Sequence, residues 1–446
     1  MKKFFYTSSL VLLLSVSLYS QSWSYVGNAG LSESTANYLS FDIDSQSGDL
    51  FLAYQDLNFQ GKLSLIKYAQ QESSWDENPL ISEYSTGYAN FMDLQIGDDG
   101  LVNLSFVDAG AGDALKIVSQ TNSGTFYIRG TVGNGTNYDG GYGINTIIKK
   151  DVDNKSYVIS YANGVRFMTK PSSVWVTTNI VPNINITALS FDFIYGTGYT
   201  AYSNLDDAGK IDIQKLSSTE ITETYDNVSD GLSNYIDLVI NPLTLQPYVA
   251  FQDIANGGKV TVKKLNGDTW ELVGEVAFTD GLSNYVDLAF DSNGNPFVAF
   301  QDVSFSNKLS VMTFDGTSWN YVGNRGVSSA SASYCSIKLN SDGEIFVAFK
   351  DGSASNKASV MKYYAETLST NDKQLDDFII FPNPVSDKLF VKGKNNFDFI
   401  ISNGVGQILK EVNNKNSADV SSLSKGIYFV KIIDGKNATI KKFIKK

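Results

Sequence analysis

A short apolar phrase ending in Asp or Asn recurs along this chain and constrains its fold more than any other feature. The four clearest copies are FLAYQD, YVAFQD, FVAFQD and FVAFKD, which end at Asp56, Asp253, Asp302 and Asp351. Three weaker copies end at Asp108, Asn163 and Asn204. The seven anchors are 41 to 55 residues apart, a spacing that predicts one supersecondary unit repeated around a single architecture.

Each repeat contains four strand-like runs separated by turn residues. In the sixth repeat these runs cover residues 285–291, 296–302, 308–314 and 318–323, and turns such as SNGN and DGTS join them. Gly and Asn in such turns supply the positive φ angles that hairpins need. We therefore predict an all-β chain in which residues 21–365 form a seven-bladed β-propeller.

The strand phase at the two ends of this body predicts how the ring closes. The run SWSYVG at residues 22–27 matches the fourth strand of a repeat, whereas the last repeat stops after its third strand at 357–364. We expect the N-terminal strand to complete the last blade, which removes an open sheet edge.

Composition excludes several chemistries. The chain has no histidine, one cysteine (Cys335) and three arginines (Arg129, Arg166 and Arg325). Catalytic triads that use histidine, zinc sites with imidazole ligands, internal disulfides and multi-cysteine clusters are therefore excluded. We assign no catalytic residue, no metal site and no cofactor.

Residues 1–20 have the features of a secretory signal peptide. Lys2 and Lys3 precede the apolar stretch from Leu10 to Val16, which is too short to span a bilayer. We find no other long apolar stretch and predict an exported protein without a transmembrane segment.

A polar linker is predicted at residues 366–377, and the segment after it resembles a known family. The residues that carry the likeness are FPNPVSDKLFV (381–391), ISNGVGQILK (401–410), VSSLSKGIYFVKI (420–432) and TIKKFIKK (439–446). In this order they resemble the type A C-terminal sorting domain of the type IX secretion system of Bacteroidetes. The likeness covers residues 378–446.

The resemblance implies a small Ig-like β-sandwich that the secretion machinery recognises, with the protein exported across both membranes to the cell surface or the medium. The motif positions it points to are Pro382, Asn383, Pro384, Gly404, Gly426, Tyr428, Lys441 and Lys442.

Charge is divided between the two parts of the chain. The formal net charge is −12, of which residues 373–446 contribute +6 and residues 21–372 contribute −20. Such an acidic body repels nucleic acid phosphates, so we predict no nucleic acid partner. Neutral ligands, cations and proteins remain compatible with it.

Aromatic residues at the start of each first strand are candidate ligand contacts at the mouth of the central channel. Tyr38, Tyr235, Tyr285 and Tyr334 occupy this position, and Phe91 is equivalent to them. Stacked rings of this kind bind sugars or peptides, but a residue repeated in most blades is also a natural structural element.

For the repeated aspartates we favour a structural role. Lysines stand six residues after four of them, so we expect exposed Asp–Lys pairs across the loop.

Differences between the repeats indicate a second set of candidate ligand-binding residues. Repeats three and four have Asn in place of Asp, and Thr146 and Thr187 stand where the others have an aromatic residue. Arg166 and the glycine-rich loop that contains Tyr138 belong to the same region. We add Tyr138 and Arg166 to the candidate ligand-binding residues.

These observations favour an exported binding or interaction module for a glycan or a protein. Two alternatives stay open: a carboxylate-dependent polysaccharide hydrolase or lyase on the same propeller, and a structural surface or adhesion component.

Overall fold

The computed structural model describes residues 22–134, 146–151, 155–161, 164–170, 175–182, 184–364, 379–392, 397–403, 408–415, 417–434 and 437–446. The chain divides into two compact units, Met1–Ala365 and Glu366–Lys446. The predicted signal peptide, the linker, Tyr138 and Gly404 lie outside the described residues.

In its described residues the first unit holds seven antiparallel sheets of four strands each. Sheet 1 comprises Ala36–Ile43, Leu50–Asp56, Lys62–Ala69 and Ser74–Trp75. Sheet 2 comprises Ala89–Ile96, Val102–Asp108, Ala114–Gln120 and Phe126–Asn134, and sheet 3 comprises Thr146–Lys150, Ser156–Tyr161, Gly164–Thr169 and Val176–Pro182. Sheet 4 comprises Ile186–Ile194, Thr197–Asn204, Lys210–Ser217 and Ile221–Tyr225.

The remaining three sheets follow the same order. Sheet 5 comprises Ser233–Ile240, Pro247–Asp253, Lys259–Asn266 and Thr269–Leu272. Sheet 6 comprises Ser283–Phe290, Pro296–Asp302, Lys308–Phe314 and Trp319–Tyr321. Sheet 7 comprises Ala332–Leu339, Ile345–Asp351, Lys357–Tyr364 and the N-terminal strand Ser22–Tyr25.

The second strand of each sheet is the most deeply buried. In Leu50–Asp56, Val102–Asp108 and Pro247–Asp253 every residue is buried, so both faces of the strand are covered. Apolar side chains of neighbouring sheets share clusters; one such cluster joins Phe51 and Leu65 of sheet 1 to Leu94 and Phe106 of sheet 2. Burial on both faces explains why these strands read as continuous apolar runs instead of alternating ones.

The first strands of consecutive sheets contact one another, and the first strand of sheet 7 contacts that of sheet 1. The N-terminal strand pairs antiparallel with the third strand of sheet 7, with Trp23 opposite Tyr363. Trp23 Nε1 also donates to the carbonyl oxygen of Val322 in sheet 6 at 2.8 Å. The N-terminal strand therefore occupies the fourth-strand position of the last sheet, as its phase predicts.

Short 3₁₀ turns follow the second strand in six sheets of the described chain. They cover Leu57–Phe59, Ala109–Ala111, Leu205–Asp207, Ile254–Asn256, Val303–Phe305 and Gly352–Ala354. Among the described residues, no helix has the length and apolar character needed to cross a membrane.

The repeated aspartates have the structural role that was predicted, but by a different mechanism. Asp56 and Asp351 are 1% and 0% exposed, so the expected exposed Asp–Lys pairs are wrong. Asp56 Oδ1 accepts the backbone N–H of Asn58 at 2.9 Å, and Asp351 Oδ1 accepts that of Ser353 at 2.9 Å. In these two sheets the buried carboxylate is satisfied by the turn that it caps, and the lysine that lies opposite in register remains nearer to solvent.

The second unit contains two sheets that enclose one apolar cluster. Three strands, Ile379–Phe381, Lys388–Lys392 and Ser417–Asp419, form one sheet. The other sheet, called the tail sheet below, has the strand order Ile408–Lys415, Phe397–Asn403, Gly426–Asp434 and Asn437–Lys445. Leu389, Phe399, Val430 and Phe443 are buried together between the two sheets.

Candidate functional site

The first strands of the first unit line a central cavity of about 460 Å³. Side chains from all seven sheets reach it, including Ser40, Asp93, Lys149, Ser190, Asp237, Asp287 and Lys338. Register shows that some of these positions are equivalent from sheet to sheet. Asp237 lies opposite Ala250 and Asp287 lies opposite Ala299, each at the same depth along its strand.

Five aromatic rings form a continuous arc around one end of the cavity, here called the aromatic arc. Its members, in spatial order, are Phe91, Tyr38, Tyr334, Tyr285 and Tyr235. Neighbouring ring centroids are 5.0 to 5.6 Å apart, and the ring planes are inclined by 45° to 58°. The four predicted tyrosines are therefore brought together, with Phe91 as a fifth member.

The backbone that carries the arc is unusual. All five residues have φ between 46° and 53°, the left-handed region that bulky side chains rarely adopt. In each of these sheets the first strand has a register shift at the aromatic residue; in sheet 6 the shift lies between Asn284 and Asp287. Bulges with strained residues often re-aim a side chain toward a functional site.

Side-chain amides hold the arc in place across sheet boundaries. Gln252 Nε2 donates to Asn284 Oδ1 at 2.8 Å, and Asn284 Nδ2 in turn donates to Gln301 Oε1 at 3.0 Å. Asn284 precedes Tyr285 of the arc, and Gln301 precedes Asp302, which caps the turn after its strand. Lys350 takes the place of Gln in sheet 7, and its Nζ donates to Asn37 Oδ1 at 2.7 Å.

Among the described residues, sheets 3 and 4 contribute no aromatic ring to the arc. Thr187 Oγ1 in sheet 4 donates to the Ser203 hydroxyl at 2.9 Å, and Thr146 in sheet 3 is buried. Arg166 lies in the third strand of sheet 3, opposite Ser160, and is not among the residues that line the cavity. The arc and Arg166 thus do not form one site.

Two polar layers lie below the arc, at positions that alternate along each first strand. Asp93, Asp237 and Asp287, together with Ser40, Ser190 and Ser336, belong to the upper layer. Asp42, Lys149, Asp192 and Lys338 belong to the lower layer, two residues further along their strands. Lys149 Nζ is 3.9 Å from Asp192 Oδ1.

Carboxylates and hydroxyls of these layers connect several first strands to the next one. Asp237 Oδ2 accepts the backbone N–H of Leu288 at 2.8 Å, and Asp287 Oδ2 accepts that of Ile337 at 2.6 Å. Asp93 Oδ2 does the same for Ile148 at 3.0 Å. The polar residues of the channel therefore hold neighbouring sheets together.

Burial changes the ionisation of these groups. Burial, and then the neighbouring Asp237 carboxylate, raise the pKa of Asp287 to about 7. Burial likewise raises the pKa of Asp42 and of Asp93. For Lys149 burial opposes the charged form, but the carboxylates of Asp192 and Asp93 hold its pKa above the ordinary value. The channel therefore favours positive charge and retains protons.

The charged layers were not predicted from the sequence. Their signal is the alternation of polar residues two and four positions after three of the aromatic residues, as in YLSFD (38–42), FMDLQ (91–95) and YCSIK (334–338). Period-2 alternation marks one face of a strand, but the sequence does not say which face lines a channel.

In the second unit the structure brings most of the predicted motif residues together at the C-terminal strand. Asn383 Nδ2 donates to the carbonyl oxygen of Lys442 at 3.2 Å, and Asn383 Oδ1 accepts the N–H of Ile444 at 2.9 Å. The flanking Pro382 and Pro384 are exposed, and Lys441 and Lys442 lie on the C-terminal strand. Tyr428, on the strand that Gly426 begins, donates its hydroxyl to the carbonyl oxygen of Ser424 at 2.9 Å.

Solved structures resemble this chain in fold. The BP39L lectin from Burkholderia pseudomallei has a TM-score of 0.54 and 11% identity, covering 74% of this chain and 96% of that one. The Cps50 (Swd1) β-propeller domain from Myceliophteria thermophila has a TM-score of 0.50 and 10% identity, with coverages of 77% and 100%. A PL25 ulvan lyase has a TM-score of 0.50 and 11% identity, with coverages of 75% and 94%. At these identities the likeness shows a propeller-like fold alone.

No curated protein matches the chain in sequence. One family matches, the secretion system C-terminal sorting domain, over residues 379–446. This match confirms the resemblance drawn from the Pro-Asn-Pro and Gly-Ile-Tyr phrases. The C-terminal segment of this chain therefore belongs to the type IX secretion C-terminal sorting domains, which direct export to the cell surface or the extracellular space.

Proposed function

We propose that this protein is an exported binding module whose first unit holds a glycan at the aromatic arc, while its C-terminal domain directs type IX secretion. Residues 1–20 act as the signal peptide for the first export step, and residues 366–377 link the two units. The observation that carries the proposal is the arc itself, five strained aromatic residues at one end of a cavity.

A closed ring of seven blades underlies this proposal. Neighbouring rings of the arc are inclined by 45° to 58°, close to the step of about 51° between blades in a ring of seven. The contact between the first strands of sheets 7 and 1 supports the same closure. For the second unit, two sheets around one apolar cluster support an Ig-like sandwich.

Closure by the N-terminal strand has its own test. Deleting Ser22–Tyr25 removes the fourth strand of sheet 7 and its pairing with Tyr364 to Met361. In a closed ring this deletion lowers the melting temperature of the whole first unit in one transition. Loss of sheet 7 alone, with the other sheets unchanged by hydrogen exchange, would contradict closure.

The chemistry of the cavity selects a neutral or cationic ligand. Aromatic faces bind the C–H surfaces of sugars and attract cations, whereas they offer an anion no favourable contact.

The test is glycan-array binding by the purified full chain, followed by calorimetry with neutral, amino and acidic sugars. Tyr285→Ala and Tyr334→Ala are expected to weaken binding about 10- to 100-fold. Tyr195→Ala is the matched control, because Tyr195 also has a positive φ but is 61% exposed, on the hairpin between the first two strands of sheet 4. Equal affinity of all three variants contradicts the proposal, and a folded protein that binds no glycan favours the structural or adhesion role.

One observation favours an enzyme as the second candidate. Burial and the neighbouring Asp237 raise the pKa of Asp287, and a carboxylate-dependent hydrolase or lyase would need such an acid beside a second carboxyl group. However, the two carboxyl groups are in hydrogen-bond contact, closer than the separations of about 5–5.5 Å or 6.5–9.5 Å in glycosidases. Both also accept backbone N–H groups of the next sheet. Release of reducing ends from polysaccharides that Asp287→Asn abolishes would favour the enzyme.

A further inference from the structure

The tail sheet has one buried face and one face on which several apolar side chains of the described residues are exposed. Ile427 and Ile444 lie opposite each other on neighbouring strands and are 54% and 41% exposed. On the adjacent rung, Phe429 lies opposite Lys442, and Ile408, which is 55% exposed, is two strands away. Ile408, Ile427, Phe429, Lys442 and Ile444 are called the isoleucine–lysine patch below.

Beside this patch, the outer backbone edge of the C-terminal strand is already hydrogen-bonded near Lys442 and Ile444. The C-terminal strand is the last strand of the tail sheet, so its outer N–H and C=O groups would otherwise be open to another strand. Asn383 binds the backbone of Lys442 and Ile444. Val385 continues this pairing: its N–H donates to the carbonyl oxygen of Ile444 at 2.8 Å, and its own carbonyl oxygen accepts the N–H of Lys446 at 2.9 Å.

Around Lys442 and Ile444 the strand therefore offers a partner its side chains, because its backbone edge is already paired there. Three exposed isoleucines on one sheet face are unusual for a small soluble unit, and exposed apolar patches of this kind mark protein contacts. Lys442 and the net charge of +6 over residues 373–446 add a cationic character. The complementary surface is apolar at its centre and acidic at its rim.

We propose that the isoleucine–lysine patch is the surface by which the secretion machinery recognises this tail, through a receptor protein with an apolar pocket and an acidic rim. The clamp formed by Asn383 and Val385 keeps the C-terminal strand in the sheet, so that Lys442 and Ile444 present their side chains on this face. This proposal does not depend on what the first unit binds.

The test is secretion of the full chain in a bacterium with a type IX system, measured by immunoblot of medium, cell surface and periplasm. The Ile427→Ser/Ile444→Ser double variant is expected to lower the exported fraction about tenfold, with the protein retained in the periplasm. Leu243→Ser/Leu245→Ser is the matched control, because these leucines of the first unit are 63% and 49% exposed. Export of a folded patch variant at the control level overturns the proposal.

Charge variants keep the proposal testable if the double variant unfolds. Lys442→Glu is expected to reduce export more than Lys442→Gln, because only the former repels an acidic rim. Equal export of both, at the level of the unaltered protein, overturns it. The proposal is also wrong if removing Lys445 and Lys446 lowers export while no patch variant does. The secretion machinery would then recognise the chain terminus and not the patch. If sedimentation shows a dimer that the double variant disperses without loss of export, the patch is a contact between copies and the proposal is wrong.

Discussion

Asp237 Oδ2 accepts the backbone N–H of Leu288 at 2.8 Å, which joins the first strands of sheets 5 and 6 from inside the channel. The next carboxylate, Asp287, contacts Asp237 and has a pKa raised to about 7 by burial and by that neighbour. A group that holds two sheets together therefore changes its ionisation near neutral pH.

We expect stability of the first unit to fall between about pH 4 and pH 7. The pKa of Asp287 is higher in the folded state than its unfolded value of about 3.9, so the folded state binds more protons in this window. The contribution of protonated Asp287 to the free energy of unfolding is complete below about pH 4 and is lost as the pH rises through about 7. Asp42 and Asp93, whose pKa values burial also raises, act in the same direction.

Asp287→Asn tests this dependence, because the amide oxygen can still accept the Ile337 N–H. At pH 8 the variant is expected to gain about 1–2 kcal/mol in urea unfolding, and at pH 4.5 to differ little. Asp268→Asn, on an exposed hairpin, serves as the control. An equal effect of Asp287→Asn at both pH values would show that no proton is taken up there.

Arg325 is expected to contribute more to stability than an exposed ion pair does. Its Nε is 2.6 Å from Asp302 Oδ2, its Nη1 is 2.8 Å from Asp280 Oδ2, and Asp302 is almost fully buried. Arg325→Ala leaves a buried carboxylate without its cation and should cost about 2–3 kcal/mol in denaturant unfolding. Lys215→Ala breaks the exposed pair with Glu223 and should cost less than about 1 kcal/mol. Equal losses would contradict this ranking.

Two tryptophans differ in one hydrogen bond. Trp319 Nε1 donates to the carbonyl oxygen of Val273 at 2.8 Å, whereas the buried Nε1 of Trp270 has no partner in the described structure. Trp319→Phe is expected to cost about 1–2 kcal/mol more than Trp270→Phe in thermal or urea unfolding, because only the former breaks a bond. If Trp270→Phe is the more destabilising, its indole nitrogen has a partner that the structure does not show.

The clamp on the C-terminal strand is expected to control its exposure to proteases. Asn383→Ala removes both hydrogen bonds to the strand, so local opening should become easier by about 1–2 kcal/mol. Trypsin should then cleave at Lys441 and Lys442 about tenfold faster, measured by mass spectrometry of the full chain. Asn413→Ala, at an exposed position of the tail sheet, is the control and should leave the cleavage rate unchanged.

The sequence predicted those features that depend on local pattern. The repeated FVAFQD phrase marks the buried second strands, and the phase of SWSYVG gives the pairing of Trp23 with the last sheet. The same kind of pattern located the tyrosines of the aromatic arc and the motif around Asn383. Arg166 was grouped with the candidate site only because its repeat departs from the others, and the structure places it away from the cavity lining.

Side-chain partners that come from distant parts of the chain required the tertiary structure. The aspartate–lysine spacing predicted exposed pairs, but Asp56 is buried and its carboxylate caps a turn. Nor does the sequence show that Asp237 and Asp287, fifty residues apart, meet in one channel.

By itself, the sequence determined an all-β repeat protein with an acidic body and a basic sorting tail, because strand period, turn residues and charge are local properties of the chain. Only the tertiary structure decided which polar residues face the channel, which of them keep a proton, and which apolar side chains of the tail sheet are exposed. These depend on burial and on the approach of strands far apart in sequence, which a period-2 pattern does not encode.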